Sequence, residues 1–231
     1  MARWGRAFTL LDLPSGSRVL DLGCAFGFGT RLPARRYETY GHDLDPTYIE
    51  RARTAVPHAL FTCGPASEVP YPNGYFDGLL LLDVLEHVPD DTAVVREVAR
   101  LLRPGGKLVL SVPNRGALAG LDSLNVYARL LPWARPPTDD PSWPQSPVHR
   151  HYDADRLAEL LAPDFQMTER QYTGLGLAEL IHLPLLLGLR PFLPGIHAIA
   201  QYLYFGAYLA EDLIPAGSWG YHLMVGAERK G

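Results

Sequence analysis

Short apolar runs alternate with amphipathic stretches along most of this chain. The apolar runs predict β-strands at 18–22, 39–43, 58–62, 77–82, 106–112, 165–172 and 219–228. The amphipathic stretches predict helices near 28–36, 46–55, 90–102 and 153–161. Runs such as 79–82 are apolar without alternation, so we expect strands that are buried on both faces of a parallel sheet by crossover helices. The pattern therefore predicts an α/β fold.

The composition agrees with a single enzyme-sized domain over 1–231. Of the 231 residues, 47% are hydrophobic and 20% are charged, which is enough to bury a full core. The chain has 21 basic and 25 acidic residues, and no stripe of lysines and arginines runs along the sequence, so we expect no nucleic-acid partner. Cys24 and Cys63 form neither a disulfide framework nor a metal-binding spacing. With no secretory leader visible, we expect a cytoplasmic protein without a metal site.

The most informative segment is the first predicted strand and the turn after it, Arg18 to Thr30. Asp21 places a carboxylate at the C-terminal tip of this strand. Gly23, Gly27 and Gly29 would let the backbone approach a ligand at the N-terminus of the helix predicted next. The order of these glycines does not match the dinucleotide fingerprint, and no Lys-Ser or Lys-Thr pair indicates a phosphate loop.

A second carboxylate, Asp43, ends the next predicted strand about 20 residues after the turn. An acidic side chain at that distance accepts hydrogen bonds from both hydroxyl groups of a ribose. The turn and Asp43 together predict a site for a cofactor that contains adenosine. The alternative is a purely structural turn followed by a solvated aspartate.

From residue 17 to 172 the chain resembles the class I S-adenosylmethionine-dependent methyltransferases. Five motifs stand in the order typical of that family, at 19–30, 41–46, 61–77, 82–88 and 102–106. The resemblance implies a Rossmann-like, seven-stranded and mostly parallel sheet with helices on both faces. It also implies that the last strand is antiparallel and that S-adenosylmethionine is the cofactor.

The resemblance also implies a set of cofactor-binding residues. They are Asp21, Gly23, Cys24, Ala25, Gly27, Asp43, Leu44, Pro65, Ala66 and Asp83. Ala25 stands where the family usually has a second glycine, and its methyl group is compatible with the cofactor if φ is negative there. Pro65 stands where the family commonly has the aspartate that binds the adenine amino group. We therefore expect adenine to be held by the Ala66 N–H, by backbone carbonyls and by apolar packing.

Three histidines are the candidate catalytic residues. His87 follows the fourth predicted strand, and His149 and His151 precede the helix cap at Asp153, in a segment that resembles a substrate-side segment of many relatives. Imidazole titrates near neutral pH, so each can act as a base if the acceptor is a hydroxyl group. Methyl transfer depends chiefly on alignment and on exclusion of water, so catalysis without a base, and structural roles for all three, stay open.

Two insertions distinguish this chain from a minimal family member. Residues 113–150 form a proline-rich connection that predicts a lid, with a helix over 118–131. Residues 174–217 are dense in leucine and aromatic residues, and three prolines predict that they fold into short helices. This second insertion favours a buried lid or a homodimer face, with peripheral membrane contact as the alternative and a membrane-spanning helix least favoured.

The sequence thus predicts S-adenosylmethionine-dependent methyl transfer, at oxygen, to a small molecule or to a lipid-linked or glycan acceptor. An apolar lid favours a lipid-linked acceptor and leaves membrane association open. Two other functions stay open as alternatives. One is a protein that binds the cofactor without catalysis, and the other is a nicotinamide-dependent reductase on a similar sheet.

Overall fold

Seven β-strands form one sheet in the computed structural model, which describes residues 2–116, 119–130, 149–189, 192–211, 213–214 and 216–231. The strands are β1 (Arg18–Leu22), β2 (Glu38–Asp43), β3 (Leu60–Cys63), β4 (Phe76–Leu82), β5 (Leu102–Pro113), β6 (Phe165–Thr173) and β7 (His222–Arg229). The α-helices of the described residues are α1 (Ala2–Leu11), α2 (Pro46–Ala55), α3 (Asp91–Leu101), α4 (Ser123–Leu130), α5 (Ala154–Leu161), α6 (Leu177–Pro184) and α7 (Pro194–Glu211).

The order of the strands across the sheet is β3-β2-β1-β4-β5-β7-β6. The first five strands in the sequence pair in parallel, and β7 runs antiparallel to both β5 and β6. This confirms the predicted mostly parallel sheet and its antiparallel last strand. β1 and β4 lie side by side where the winding of the chain reverses, and open α/β sheets bind ligands beyond the carboxyl ends of such strands.

Both faces of the sheet are buried. Alternate side chains of the central strands point to opposite sides, and helices cover each side. In β4, Leu79 and Leu81 pack in the core that includes α3 and α5, whereas Leu80 and Leu82 pack with α1. Helices on both faces are therefore confirmed. Burial on both sides also explains why β4 is an unbroken apolar run in the sequence.

Three helices occupy stretches in which the sequence predicts them. α2, α3 and α5 each begin after an aspartate whose side chain accepts a backbone N–H of the first turn; these caps are Asp45, Asp90 and Asp153. Among the strands, β5 begins at Leu102 instead of 106, because Leu102 pairs with Phe76 before a break in register. β7 begins at His222 instead of 219, after a 3₁₀ turn at Gly217–Trp219.

The predicted helix over 28–36 is wrong. This part of the chain forms turns and one 3₁₀ turn, Pro33–Arg35. Proline and glycine are poor helix formers, and the indole of Trp4 covers Gly29 so closely that a Cβ there would lie 2.5 Å from Trp4 Nε1. Trp4 belongs to α1, which the sequence analysis did not predict. The turn after β1 therefore leads into no α-helix, and a cofactor there would not meet a helix N-terminus.

The first insertion is described in part. A 3₁₀ turn at Ala119–Leu121 precedes α4, so the helix is shorter than the predicted 118–131. Residues 117–118 and 131–148 lie outside the described residues, as do the prolines and tryptophans within 131–148 on which the predicted lid depends.

In the second insertion, α6 ends at Pro184 and a short π-helical turn, Leu185–Leu189, follows it. Pro191 lies outside the described residues. α7 begins at Pro194 and continues for 18 residues, so the prediction of short helices only is wrong here. Proline at the first position of a helix lacks only an N–H that would have no partner there, and so it starts α7 and does not interrupt it.

One side of α7 is exposed and apolar, with Ile196, Ile199, Tyr202 and Leu203 on its surface. Within the described parts of the chain, none of the helices combines the length and the hydropathy that crossing a membrane requires.

Candidate cofactor and acceptor site

The turn after β1 lies at the point where the winding reverses. Gly23 has φ +82°, and a Cβ at this position would lie 2.2 Å from Cγ2 of Val84 in the loop after β4. A side chain is therefore excluded by the protein itself. Gly27 is restricted by a different neighbour, because its Cβ would lie 3.2 Å from the Cα of Ala52 in α2.

Ala25 has φ +43°, so the condition of a negative φ, under which its methyl group would be compatible with a cofactor, is not met. The backbone keeps the left-handed conformation that suits glycine, and an alanine adopts it at a cost of about 1 kcal/mol. The reason is a hydrogen bond: the Ala25 N–H donates to Oδ2 of Asp43 over 2.8 Å. This bond ties the turn after β1 to the end of β2.

Asp43 lies at the end of β2, where the sequence predicts a ribose-binding carboxylate. Its Oδ1 accepts from the N–H of Asp45 over 3.0 Å, in addition to the Ala25 bond. The residues that follow Ala25 and Asp43 in the sequence, Phe26 and Leu44, are both close to half exposed. Phe26 was not among the residues predicted from the sequence.

Asp21 and Cys24 lie behind the turn. The Asp21 carboxylate is buried and accepts from Oγ1 of Thr30 over 2.6 Å. Burial raises the pKa of Asp21 to about 6, against the lowering effect of the Thr30 hydroxyl. Burial likewise raises the pKa of the Cys24 thiol, which stays neutral. These two side chains support the turn, so a cofactor would contact these positions through the backbone.

Pro65 and Ala66 follow β3, next to the end of β2. The carbonyl oxygen of Pro65 lies 3.3 Å from Nε2 of His42 and accepts from the N–H of Glu68 over 3.0 Å. Pro65 is exposed and Ala66 is half-buried. The Pro65 carbonyl is thus already engaged by two groups of the protein.

Asp83 follows β4 and has a left-handed backbone with φ +57°. Its carboxylate accepts from Oγ of Ser111 over 2.8 Å and forms an ion pair with Arg3 of α1. Arg3 is almost fully buried, and its Nη2 lies 3.1 Å from Nε2 of His222. Arg3 was not predicted as a site residue, although an arginine within an apolar N-terminal stretch is a usable signal.

The three candidate histidines lie together. Nδ1 of His149 lies 3.1 Å from Oδ2 of Asp122, and Nε2 of His151 lies 3.3 Å from the same oxygen. The ring of His87 meets the ring of His149 edge to face, with centroids 4.7 Å apart. Asp122 was missed as a site residue, although an aspartate before Ser123 and an apolar helical stretch is typical of an N-cap.

Asp122 is the charged centre of this group. Burial would raise its pKa, but hydrogen bonds from His149 and from the Asn125 N–H, together with the nearby His151 ring, outweigh burial and lower the pKa well below its usual range. Asp122 is therefore ionised. Nε2 of His149 is buried and makes no hydrogen bond within the described residues. A histidine whose Nδ1–H donates to a carboxylate presents Nε2 as a proton acceptor.

Glu86 is a second buried carboxyl group next to the histidines. Burial raises its pKa well above the usual value, and the nearby charge of Asp83 raises it further. Its Oε1 lies 4.0 Å from Nε2 of His87. In the residues that the structure describes, no group of three or more histidine, cysteine or carboxylate side chains could hold a metal ion.

The chain is similar to known methyltransferases in sequence. The family model described as a methyltransferase domain matches residues 20–110. The ubiquinone biosynthesis O-methyltransferase of Xanthomonas oryzae pv. oryzae (strain PXO99A) is 39% identical over 137 residues, which are 53% of this chain and 54% of that protein. The 27-O-demethylrifamycin SV methyltransferase of Amycolatopsis mediterranei (strain S699) is 37% identical over 113 residues, which are 44% of this chain and 40% of that protein.

The fold is similar to that of solved methyltransferases. The S-adenosylmethionine-dependent methyltransferase from Mesorhizobium loti superposes with a TM-score of 0.62 at 21% identity, covering 99% of this chain and 98% of that one. At that identity the likeness shows the fold alone. The chain spans about half the length of the first of the two curated relatives and less of the second. All three proteins are named as methyltransferases and none as a nicotinamide-dependent reductase.

Proposed function

We propose that this chain, which belongs to the class I S-adenosylmethionine-dependent methyltransferase family, methylates a hydroxyl oxygen of a small molecule. Both curated relatives have names that refer to an oxygen-linked methyl group, which supports oxygen as the methylated atom. The alternative is a protein that binds the cofactor without catalysis, and the experiment below distinguishes the two.

The cofactor would lie across the ends of β1 and β2. Asp43 would hold the ribose, Phe26 and Leu44 would cover the adenine, and the backbone of the turn from Gly23 to Gly27 would line the remainder. When bound, S-adenosylmethionine supplies a methyl group that is already activated by its sulfonium. The protein therefore has to align the acceptor oxygen, exclude water and remove one proton.

The observation that carries the proposal is the pairing of Asp122 with His149. Asp122 is ionised and orients the ring through Nδ1, so Nε2 of His149 is the atom that accepts the hydroxyl proton. The acceptor hydroxyl would give its proton to Nε2 as it takes the methyl group, S-adenosylhomocysteine would be the leaving group, and the Asp122 carboxylate would stabilise the resulting imidazolium. In this proposal His149 is the catalytic base, Asp122 is a positioning residue, and His87 and His151 pack around the pair.

Product formation tests the proposal. Purified protein is mixed with S-adenosylmethionine and a panel of phenols, alcohols and carboxylic acids, and S-adenosylhomocysteine is measured. We expect turnover with one class of hydroxylated acceptor. Calorimetry with S-adenosylmethionine and with NAD should give heat for the first only. Heat with S-adenosylmethionine but no product from any acceptor would favour the non-catalytic alternative.

Variants then test the base. We expect His149→Ala to lower kcat by about 10²- to 10⁴-fold, as is usual for loss of a general base, with unchanged affinity for S-adenosylmethionine. His58→Ala is the matched control, because His58 is exposed on the loop before β3. Asp122→Asn should lower kcat in the wild type but have little further effect in His149→Ala, since both changes remove the same function. Full turnover by His149→Ala would leave alignment as the only source of catalysis.

A further inference from the structure

A cavity of about 650 Å³ lies beside the histidine group, and its walls carry an excess of positive charge. His149 and His151 form part of the wall. Four arginines from four separate segments also line the cavity: Arg115 after β5, Arg129 of α4, Arg150 before α5 and Arg156 of α5. One carboxylate, Asp91, is among the described residues of the wall.

The positive charge of this wall is only weakly compensated. Nη1 of Arg150 lies 3.5 Å from Oδ2 of Asp91, but that oxygen also accepts from the hydroxyl of Tyr152. Nε and Nη2 of Arg150 are buried and make no hydrogen bond within the described residues. Buried guanidinium donors without acceptors are costly, so these two nitrogens indicate a place for an anionic ligand.

The charges of the other arginines are also available to a ligand, because other groups of the protein compensate them only weakly. Arg115 and Arg156 lie 3.7 Å and 3.9 Å from carboxylates that are largely exposed, and such ion pairs contribute little. Arg129 is exposed and has no carboxylate partner in the described part of the chain. Guanidinium groups bind phosphate oxygens through two parallel hydrogen bonds. Several guanidinium groups together carry more positive charge than a single carboxylate neutralises.

We propose that this cavity binds a phosphate or diphosphate group of the acceptor and so places the acceptor hydroxyl beside His149. The proposal deepens the proposed function, on which it rests for the identification of the ligand as the acceptor. The phosphate is either part of a soluble ester or the headgroup of a phospholipid, and both present the same oxygens to the arginines.

Binding of an anion can be measured without any turnover. Inorganic pyrophosphate is titrated into the full chain at low salt, and Arg129→Gln and Arg150→Gln are compared with the wild type. We expect each variant to bind pyrophosphate about tenfold more weakly, as for the loss of one charge-assisted hydrogen bond. The control is Arg51→Gln, which removes an exposed arginine of α2 away from the cavity and should leave the affinity unchanged. Because Arg129 is exposed, its variant should fold even if Arg150→Gln does not.

A second arm identifies the source of the phosphate. The protein is incubated with glycerol phosphate and, separately, with vesicles of phosphatidic acid or of phosphatidylcholine. Competition with pyrophosphate by glycerol phosphate alone indicates a soluble ester, whereas binding to phosphatidic acid vesicles that Arg129→Gln weakens indicates a lipid headgroup.

Equal binding of pyrophosphate by all variants, or no binding, would overturn the anion site. Methyl transfer to acceptors without phosphate would then still support the proposed function. If the arginine variants lose pyrophosphate binding but no acceptor yields S-adenosylhomocysteine, the anion site stands and the proposed function fails.

Discussion

Arg3 of α1 forms an ion pair with Asp83, which lies 80 residues further along the chain at the end of β4. The guanidinium also lies over the ring of Tyr208 in α7, 4.8 Å from its centroid. One buried cation therefore joins the first helix, the end of a central strand and the second insertion.

We expect Arg3→Ala to lower the free energy of unfolding by about 2 to 4 kcal/mol. Removing one partner of a buried pair leaves the other charge without compensation, although the partial exposure of Asp83 reduces the effect. Urea unfolding followed by circular dichroism measures this change. Arg6→Ala, on the same helix but only half-buried, should change stability far less. Equal losses from the two variants would mean that the pair with Asp83 contributes nothing specific.

Asp43→Ala should weaken binding of S-adenosylmethionine by about 1.5 to 3 kcal/mol, the usual contribution of hydrogen bonds to a charged group. The reason is that the carboxylate both binds the ribose in our proposal and holds the Ala25 turn. Calorimetric titration gives the affinity, and thermal unfolding of the free protein shows how much of the effect is structural. Glu50→Ala, an exposed change on α2, is the control. Unchanged affinity in Asp43→Ala would refute the ribose assignment.

Ala25→Gly should raise the free energy of unfolding by about 1 kcal/mol. Glycine adopts φ +43° without the steric cost that the alanine methyl group imposes. The same substitution at Ala158, an exposed position inside α5, should instead lower stability by about 0.5 to 1 kcal/mol. Chemical unfolding of both variants shows whether each substitution raises or lowers the free energy of unfolding. A loss of stability in both would show that the left-handed turn is not strained.

Glu86 should make the protein less stable as the pH rises. Above about pH 4.3 the unfolded chain releases this proton, whereas the folded protein keeps it because the folded pKa is raised. The unfolded state then binds fewer protons, so the free energy of unfolding falls until the pH passes the folded pKa.

Glu86→Gln removes this dependence, so the variant should gain stability relative to the wild type as the pH rises above about 4.3. Urea unfolding at a series of pH values measures the difference, and Glu159→Gln on the surface of α5 serves as the control. A constant difference between Glu86→Gln and the wild type at every pH would mean that Glu86 does not titrate as proposed.

The sheet and three of its helices could be predicted because their signals are local. An apolar run such as β4 and an aspartate cap such as Asp90 need no knowledge of the rest of the chain. The segment over 28–36, predicted to be a helix, contains Gly29 and Pro33, which are poor helix formers, and it packs against a distant side chain, Trp4. Helix α1 was predictable as well, because its apolar residues at positions 4, 7, 8 and 11 have helical spacing, but it was not predicted.

The acceptor side of the site was harder to predict, because its residues come from separate segments. The histidines were recognisable by their chemistry, but their common partner Asp122 appears in the sequence only as a helix cap. The four arginines that line the cavity form no cluster along the sequence, because folding alone brings them together.

The order of the strands has a consequence for how this protein can diversify. The proposed cofactor contacts from Asp21 to Ala66 lie in the first third of the chain and on one flank of the sheet, whereas the residues proposed to recognise the acceptor come after β5. If the residues beyond 113 were exchanged for others, the protein would keep its methyl donor and acquire a preference for a different acceptor. Directed evolution of altered specificity should therefore accumulate changes in this later portion and spare the earlier one.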